Sequence, residues 1–178
     1  MILDFLNTSA NLKKIPRQGW IDKLNHKNPE TVAEHTYLMS MMGMVFSDMD
    51  EMNTEKILKM ILLHDLAESI IGDMTPEMLS EESKKTLEND AMKKILRGLP
   101  EPLYKRYKML WDEFQANSSE ESKLVHQIDK LEMALQARIY SEDGFKSEQL
   151  FPFFKTAKDT VSERRIKEML EKIMKDID

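Results

Sequence analysis

Residues 57–71 read ILKMILLHDLAESII and are apolar on nearly every side of a helix. A helix that is hydrophobic all round is normally buried in a protein core. Its polar members include His64 and Asp65, side by side, and Glu68 one turn after His64. Burying an ionised carboxylate is costly unless the charge is paired or coordinates a metal. The segment therefore predicts a buried helix that holds a divalent cation at its His-Asp pair.

The composition around this segment indicates an all-α protein. The 178 residues include only five Gly and six Pro, and 41% are hydrophobic while 33% are charged. Such a composition, rich in Glu, Lys, Leu and Met, is typical of long helices. The length suits one domain, predicted over 1–178, with its core at about 30–140 and C-terminal helices at about 147–176.

Several classes of partner and compartment are disfavoured. The net charge of −6 argues against nucleic acid as a partner, because an extended nucleic-acid surface needs a basic face. There is no cysteine, which excludes disulfides and thiolate chemistry. The N-terminal residues do not resemble a signal peptide, and no stretch approaches the roughly 20 apolar residues of a membrane span. We expect a cytoplasmic protein that does not enter membranes.

Helix start signals place the candidate ligands on separate helices. Thr31 to Glu34 is a capping box, which puts His35 in the first turn of a helix. Asn53 or Thr54 caps the next helix, which carries His64-Asp65 and is expected to end near Gly72.

Later signals complete the helical pattern. Thr75 before Pro76 predicts a new helix start. A second capping box at Ser118-x-x-Glu121 opens a long helix that carries Asp129. A final amphipathic helix is expected over roughly 161–176.

His35, His64, Asp65 and Asp129 form a candidate ligand set. Two imidazoles and two carboxylates suit Mn, Co, Fe, Zn or Mg, and four protein ligands leave positions open on an octahedral ion.

Each of these residues also has a simpler interpretation when it is taken alone. His35 could lie on the surface, and His64 could be a core histidine with ordinary hydrogen bonds. Asp129 could pair with Lys130 or Arg138. His126, one turn before Asp129, is the best rival ligand.

Five sequence words carry a family resemblance: IPRQGW (15–20), NPETVAEH (28–35), LLHDLAE (62–68), IGDMTP (71–76) and QIDKLE (127–132). Over about residues 3–145 they resemble the HD-domain superfamily of metal-dependent phosphohydrolases, in particular its 5′-deoxynucleotidase branch. The resemblance implies that His35, His64, Asp65 and Asp129 are metal ligands. HD enzymes with two metals generally have additional histidines between the His-Asp pair and the last Asp. Because only His126 lies in that interval, we expect one divalent ion per chain.

The same resemblance assigns roles around the metal. Glu68 matches the acid that orients or activates the attacking water, and Asp73 matches a residue near the sugar and the scissile ester. Arg17 and Trp20 fall in the segment that lines the nucleotide pocket, and the Thr75 hydroxyl is expected nearby. The alternatives are a solvated charge for Glu68, a turn residue or cap for Asp73, and an N-cap for Thr75.

The expected reaction is hydrolysis of a deoxyribonucleoside 5′-monophosphate to deoxynucleoside and phosphate, with a homodimer as the family tends to form. One alternative is another HD-type enzyme that acts on a cyclic nucleotide, a nucleoside triphosphate or a guanosine polyphosphate. A second is a metal-bound nucleotide sensor without turnover.

Overall fold

The computed structural model describes residues 2–175, which are almost entirely helical. Their α-helices are α1 (Ile2–Ala10), α2 (Gln18–Leu24), α3 (Val32–Met49), α4 (Thr54–His64), α5 (Glu68–Ile71), α6 (Glu81–Leu96), α7 (Glu101–Ala116), α8 (Glu120–Glu142), α9 (Ser147–Thr160) and α10 (Arg164–Met174). A 3-10 helix covers Asn11–Lys14. Extended pairing in this range is limited to an isolated bridge between Pro16 and Thr31. The predicted all-α class is confirmed.

Helices α3, α4 and α8 pack against one another and carry the candidate ligands. The predicted capping box opens α3: the Thr31 hydroxyl accepts the Glu34 N–H, and the Glu34 carboxylate accepts the Thr31 N–H at 2.7 Å. Asn53 caps α4, as predicted. A Cβ at Gly43 would overlap the side chain of Ile61, so glycine there allows α3 and α4 to approach closely.

The helix with the His-Asp pair is shorter than predicted. α4 ends at His64, Asp65 leaves the helical conformation as its C-cap, and the short α5 follows before Gly72 at φ +79°. The prediction of one helix running to Gly72 was therefore wrong, and His64 and Glu68 do not share the face of a single helix. Helix propensity is a weak constraint beside tertiary contacts, and the Asp65 side chain faces groups from other segments. Nor is the segment buried all round, since Leu62 is 58% exposed.

Two predicted helix starts are also corrected. Thr75 does not begin a helix, because residues 76–78 form a turn and α6 starts at Glu81 after the cap Ser80. The Thr75 hydroxyl instead donates to Asp22 Oδ2 at 3.5 Å. Helix α8 is capped by Ser119 rather than Ser118, in a reciprocal box with Ser122. Adjacent serines have the same capping chemistry, so local sequence did not distinguish them.

The C-terminal helices cover one side of α8. α9 packs against α8 and α2, while α10 packs against α8 and α9. The last helix begins at Arg164, later than predicted, and residue 176 lies outside the described range. Between residues 2 and 175, none of the helices is long and apolar enough to cross a membrane.

Candidate metal centre

The candidate ligands come together between α3, the end of α4, and α8. His35, His64 and Asp129 each place a potential ligand atom within 4.8 Å of the other two. His35 Nε2 lies 3.4 Å from Asp129 Oδ1. Asp65 Oδ2 lies 2.9 Å from His64 Nε2 and 3.8 Å from His35 Nε2. Residues up to 94 positions apart in the chain thus form one cluster of nitrogen and oxygen donors.

Both imidazoles turn the same nitrogen toward this cluster. His64 Nδ1 lies 2.6 Å from the Ile61 carbonyl oxygen, and His35 Nδ1 lies 2.5 Å from Glu132 Oε2. The two Nε2 atoms are buried and have no hydrogen-bond partner. Buried polar atoms are nearly always satisfied, and two unpartnered imidazole nitrogens beside two carboxylates fit a divalent cation. His35 is fully buried, so its interpretation as a surface histidine was wrong.

The charges in the cluster stabilise one another in the protein without metal. Burial and the Arg17 charge oppose protonation of His35, but the Glu132 and Asp129 carboxylates outweigh them and raise the pKa of His35 to about 10. Burial alone would raise the pKa of Asp129, yet Lys130 and His35 hold it well below its usual range. The pKa of Asp65 is also lowered, because His64 and Arg17 outweigh burial.

Asp129 has two partners, one for each oxygen. Oδ1 faces His35, while Oδ2 accepts from Lys130 Nζ at 2.8 Å. Asp129 therefore pairs with Lys130 through one oxygen and still presents the other oxygen to the candidate ligand cluster. His126 is not part of the cluster: its Nε2 lies 3.0 Å from the Phe114 carbonyl oxygen, and its ring stacks on that phenyl ring.

A cavity of about 330 Å³ opens beside the candidate ligands. Its lining includes all the other residues predicted for the site, namely Arg17, Trp20, Glu68, Asp73 and Thr75, together with Asp65 and Asp129. Lys84, Lys130, Met133 and Phe153 also line it. The cavity thus brings the candidate metal ligands together with cationic and apolar side chains.

Arg17 reaches the cluster through a short backbone pairing. Its N–H donates to the Glu30 carbonyl at 2.9 Å, which joins the segment before α2 to the start of α3. The Arg17 side chain then lies 3.3 Å from Asp65 Oδ2 and 4.0 Å from Asp73 Oδ2. Asp73 accepts the Gln18 N–H at 2.7 Å, so its carboxylate satisfies an otherwise free donor at the start of α2.

Glu68 is buried at 3% exposure, and its Oε2 has no partner. The interpretation of Glu68 as a solvated charge was therefore wrong. The pKa of Glu68 is raised well above its usual range, mainly because the group is buried and also because the negative charges of Asp65 and Asp73 lie nearby. A carboxyl group of this kind, beside a polar cavity, is suited to proton transfer.

Trp20 forms a fixed wall of the cavity. The residue is 2% exposed, and its indole N–H donates to Glu30 Oε1 at 2.9 Å. The ring packs edge-on against Tyr140, with centroids 5.1 Å apart, and tilts against Phe153 at 4.0 Å. Phe153 belongs to α9, so the C-terminal region contributes to the cavity.

The HD-domain family model matches residues 9–174. The chain belongs to the HD-domain family. It is 38% identical to the 5′-deoxynucleotidase HDDC2 of Mus musculus over 97% of this chain and 86% of that protein. It is 42% identical to the Danio rerio protein of the same name, over 86% of this chain and 76% of that protein.

Two solved structures have a fold similar to that of this chain. A Pyrococcus horikoshii protein is 30% identical and superposes with a TM-score of 0.81, over 98% of this chain and 99% of that one. A conserved hypothetical protein from Pyrococcus furiosus is 28% identical with a TM-score of 0.78, over 97% and 99% of the two chains.

Sequence reasoning missed some residues of this HD-domain site. One of them is Glu132, whose carboxylate contacts His35. Its position could have been inferred from the sequence, because Glu132 follows Asp129 by three residues and therefore lies on the same face of that helix. Lys84 and Phe153, which line the cavity, stand in segments without a recognisable motif.

Proposed function

We propose that this HD-domain protein is a 5′-deoxynucleotidase that hydrolyses deoxyribonucleoside 5′-monophosphates to deoxynucleoside and phosphate. One observation carries the proposal: the cluster of His35, His64, Asp65 and Asp129 opens directly into a cavity that also contains Arg17 and a buried Glu68. Relatives named 5′-deoxynucleotidase, identical at 38–42% of aligned positions, support this substrate class.

One divalent ion per chain, from the group Mn, Co, Mg, Fe and Zn, would be held by His35, His64, Asp65 and Asp129. When bound, such an ion polarises a phosphoryl oxygen and lowers the pKa of water. The assignment is supported by His35 and His64, whose buried Nε2 atoms have no hydrogen-bond partner in the protein.

The remaining residues would bind and orient the reactants. Glu68 orients the attacking water and takes a proton on its unpartnered Oε2. Arg17 offers a planar guanidinium to the phosphate and balances the charge that develops there. Asp73 donates a hydrogen bond or a proton to the leaving 5′ oxygen when its carboxyl group is protonated. Trp20 and Thr75 contact the substrate from the cavity wall.

The test is phosphate release from matched deoxy- and ribonucleoside monophosphates, after chelation and re-addition of single metals. We expect metal-dependent release that favours the deoxy series. Monophosphate with pyrophosphate or triphosphate as products would indicate another HD-type reaction. Metal binding without release from any nucleotide would indicate a sensor.

We also propose a cytoplasmic homodimer without nucleic acid as a partner. The dimer is supported by an apolar face of α3 on which Tyr37, Met41 and Met49 are exposed. Sedimentation velocity would show a dimer at micromolar concentration, and Met41→Glu should shift it to monomer. A location in the cytoplasm suits an enzyme that acts on free nucleotides.

A further inference from the structure

Two carboxylates in the sequence words, one partly buried and one fully buried, have no role in the proposed reaction. Glu30 belongs to NPETVAEH, and Glu132 belongs to QIDKLE. Together with His35 they form a second cluster, in which one potential ligand atom of each lies within 4.8 Å of the others. This cluster lies on the opposite edge of the His35 ring from Asp129, because it faces Nδ1 rather than Nε2.

Hydrogen bonds account for the atoms through which this second cluster faces His35 and Trp20, whereas Glu132 Oε1 is buried and has no hydrogen-bond partner. His35 Nδ1 and Glu132 Oε2 are 2.5 Å apart, too close for an ion to lie between them. Glu30 Oε1 accepts the Trp20 indole N–H at 2.9 Å, and the Glu30 N–H donates to the Tyr140 hydroxyl at 2.8 Å. The arrangement is that of a carboxylate oriented toward an imidazole rather than of a second metal site.

We propose that Glu132 is a positioning residue that sets the orientation and the protonated nitrogen of His35. Its carboxylate accepts the Nδ1 proton, so that Nε2 offers its lone pair toward His64, Asp65 and Asp129. Carboxylate partners of this kind fix the tautomer of a metal-binding histidine and increase its basicity. The proposal rests on the metal centre proposed above, and it adds a residue for which that centre has no assigned role.

Burial and helix geometry give Glu132 this function. Both Glu132 and His35 are fully buried, so water does not compete for the hydrogen bond. Glu132 is one helical turn from Asp129, so α8 supplies both a candidate ligand and the group that orients a second ligand on α3. The contact therefore links the packing of α3 against α8 to the geometry of the metal centre.

A graded set of variants tests the hydrogen bond. Glu132→Met keeps the volume and removes the acceptor, whereas Glu132→Gln keeps an acceptor oxygen without the charge. Glu30→Gln is the matched control. It removes the charge of a carboxylate in the same cluster, and among the described residues that carboxylate accepts from Trp20 rather than from His35. Manganese affinity is measured by calorimetry in each purified protein, and folding is checked by circular dichroism.

We expect Glu132→Met to bind manganese roughly 10–100-fold more weakly than the wild type, which is the usual effect of losing such a partner. The manganese affinity of Glu132→Gln should lie between those of Glu132→Met and the wild type. The affinity of Glu30→Gln should remain within about threefold of the wild type. Wild-type affinity in a folded Glu132→Met variant overturns the proposal. An equal loss in Glu30→Gln also overturns it, because the effect would then come from charge alone.

A spectroscopic measurement on the wild type keeps the test independent of how the variants fold. In the zinc-loaded protein, ¹⁵N-resolved imidazole spectra should show a proton on His35 Nδ1, protected from exchange and shifted downfield, with zinc on Nε2. Zinc on Nδ1, or a proton that exchanges rapidly there, overturns the positioning role. A wild-type protein that binds no metal at His35 overturns the metal centre itself, a result distinct from unchanged affinity in the variant.

Discussion

Arg17 and Asp65 are joined at the centre of the site: Nη1 of Arg17 lies 3.3 Å from Oδ2 of Asp65. The same oxygen lies 2.9 Å from His64 Nε2. The guanidinium is therefore within hydrogen-bond distance of one candidate ligand, Asp65, which itself contacts a second. A phosphate held by Arg17 would consequently lie next to the proposed metal position.

Replacing Arg17 with Lys should weaken substrate binding and turnover together. Lysine keeps the charge but lacks the planar pair of donors that matches a phosphate. We expect KM to rise by about tenfold and kcat to fall by a similar factor. Lys23→Gln is the control. Lys23 also lines the cavity, but it is exposed and its charge is already paired with Glu77, so its loss should change the kinetics little. Equal kinetics for Arg17→Lys and the wild type would remove Arg17 from phosphate binding.

Glu68→Gln should abolish most turnover while the metal remains bound. The amide has the same shape as the carboxylate but cannot accept a proton, and general base catalysis contributes about 10²–10⁴-fold. Single-turnover phosphate release and manganese calorimetry separate the two effects. The matched control is Glu77→Gln, whose carboxylate also lines the cavity but is exposed and paired with Lys23. Turnover within threefold of the wild type in Glu68→Gln would contradict the role of Glu68.

Metal binding should release a proton and become tighter as the pH rises. Because Glu132 and Asp129 outweigh burial and raise the pKa of His35 to about 10, the ring is charged at neutral pH without metal. A cation at Nε2 must displace that proton, so affinity should increase by about tenfold per pH unit. Manganese titrations at pH 6.5 and 7.5, in buffers of different ionisation enthalpy, measure both quantities. An affinity that does not change with pH would show that His35 is not a ligand.

Glu30→Gln should stabilise the metal-free protein at high pH but not at low pH. Burial and the Glu132 charge raise the pKa of Glu30 to about 7 from an ordinary value of 4.5. The folded state therefore binds the proton more tightly, and the wild type loses stability as the pH rises from about 4.5 to 7. The glutamine variant, which is always neutral, avoids that loss.

We expect the Glu30→Gln variant to exceed the wild-type free energy of unfolding by about 1–3 kcal/mol at pH 8 and to match it near pH 4.5. Urea titrations of the metal-free proteins at the two pH values provide the measurement. The same difference at both values would show that ionisation of Glu30 is not its cause.

The helical class and the candidate ligands could be predicted from local sequence. The capping box at Thr31 and the cap at Asn53 depend on hydrogen bonds within a few residues, so both helix starts were correct. The ligand types were readable because a His-Asp pair in an apolar segment carries a cost that a metal removes. The family resemblance then indicated which separate residues belong with that pair.

Local sequence did not reveal the end of α4 at His64. The apolar pattern continues to Ile71, and nothing in it marks the turn at Asp65. The side chain of Asp65 contacts Arg17 and His35, which come from distant parts of the chain. These contacts exist only after the helices have packed, so the position of the break is a property of the tertiary structure.

The sequence by itself determined that this protein is helical and which residue types could bind a metal, because helix caps and ligand chemistry are local properties. Only the tertiary structure decided how those residues are oriented. It turned both Nε2 atoms inward, placed Glu132 behind His35, and brought Phe153 of α9 against Trp20. The physical reason is that each of these contacts joins residues distant in the chain, and their distances depend on how whole helices pack.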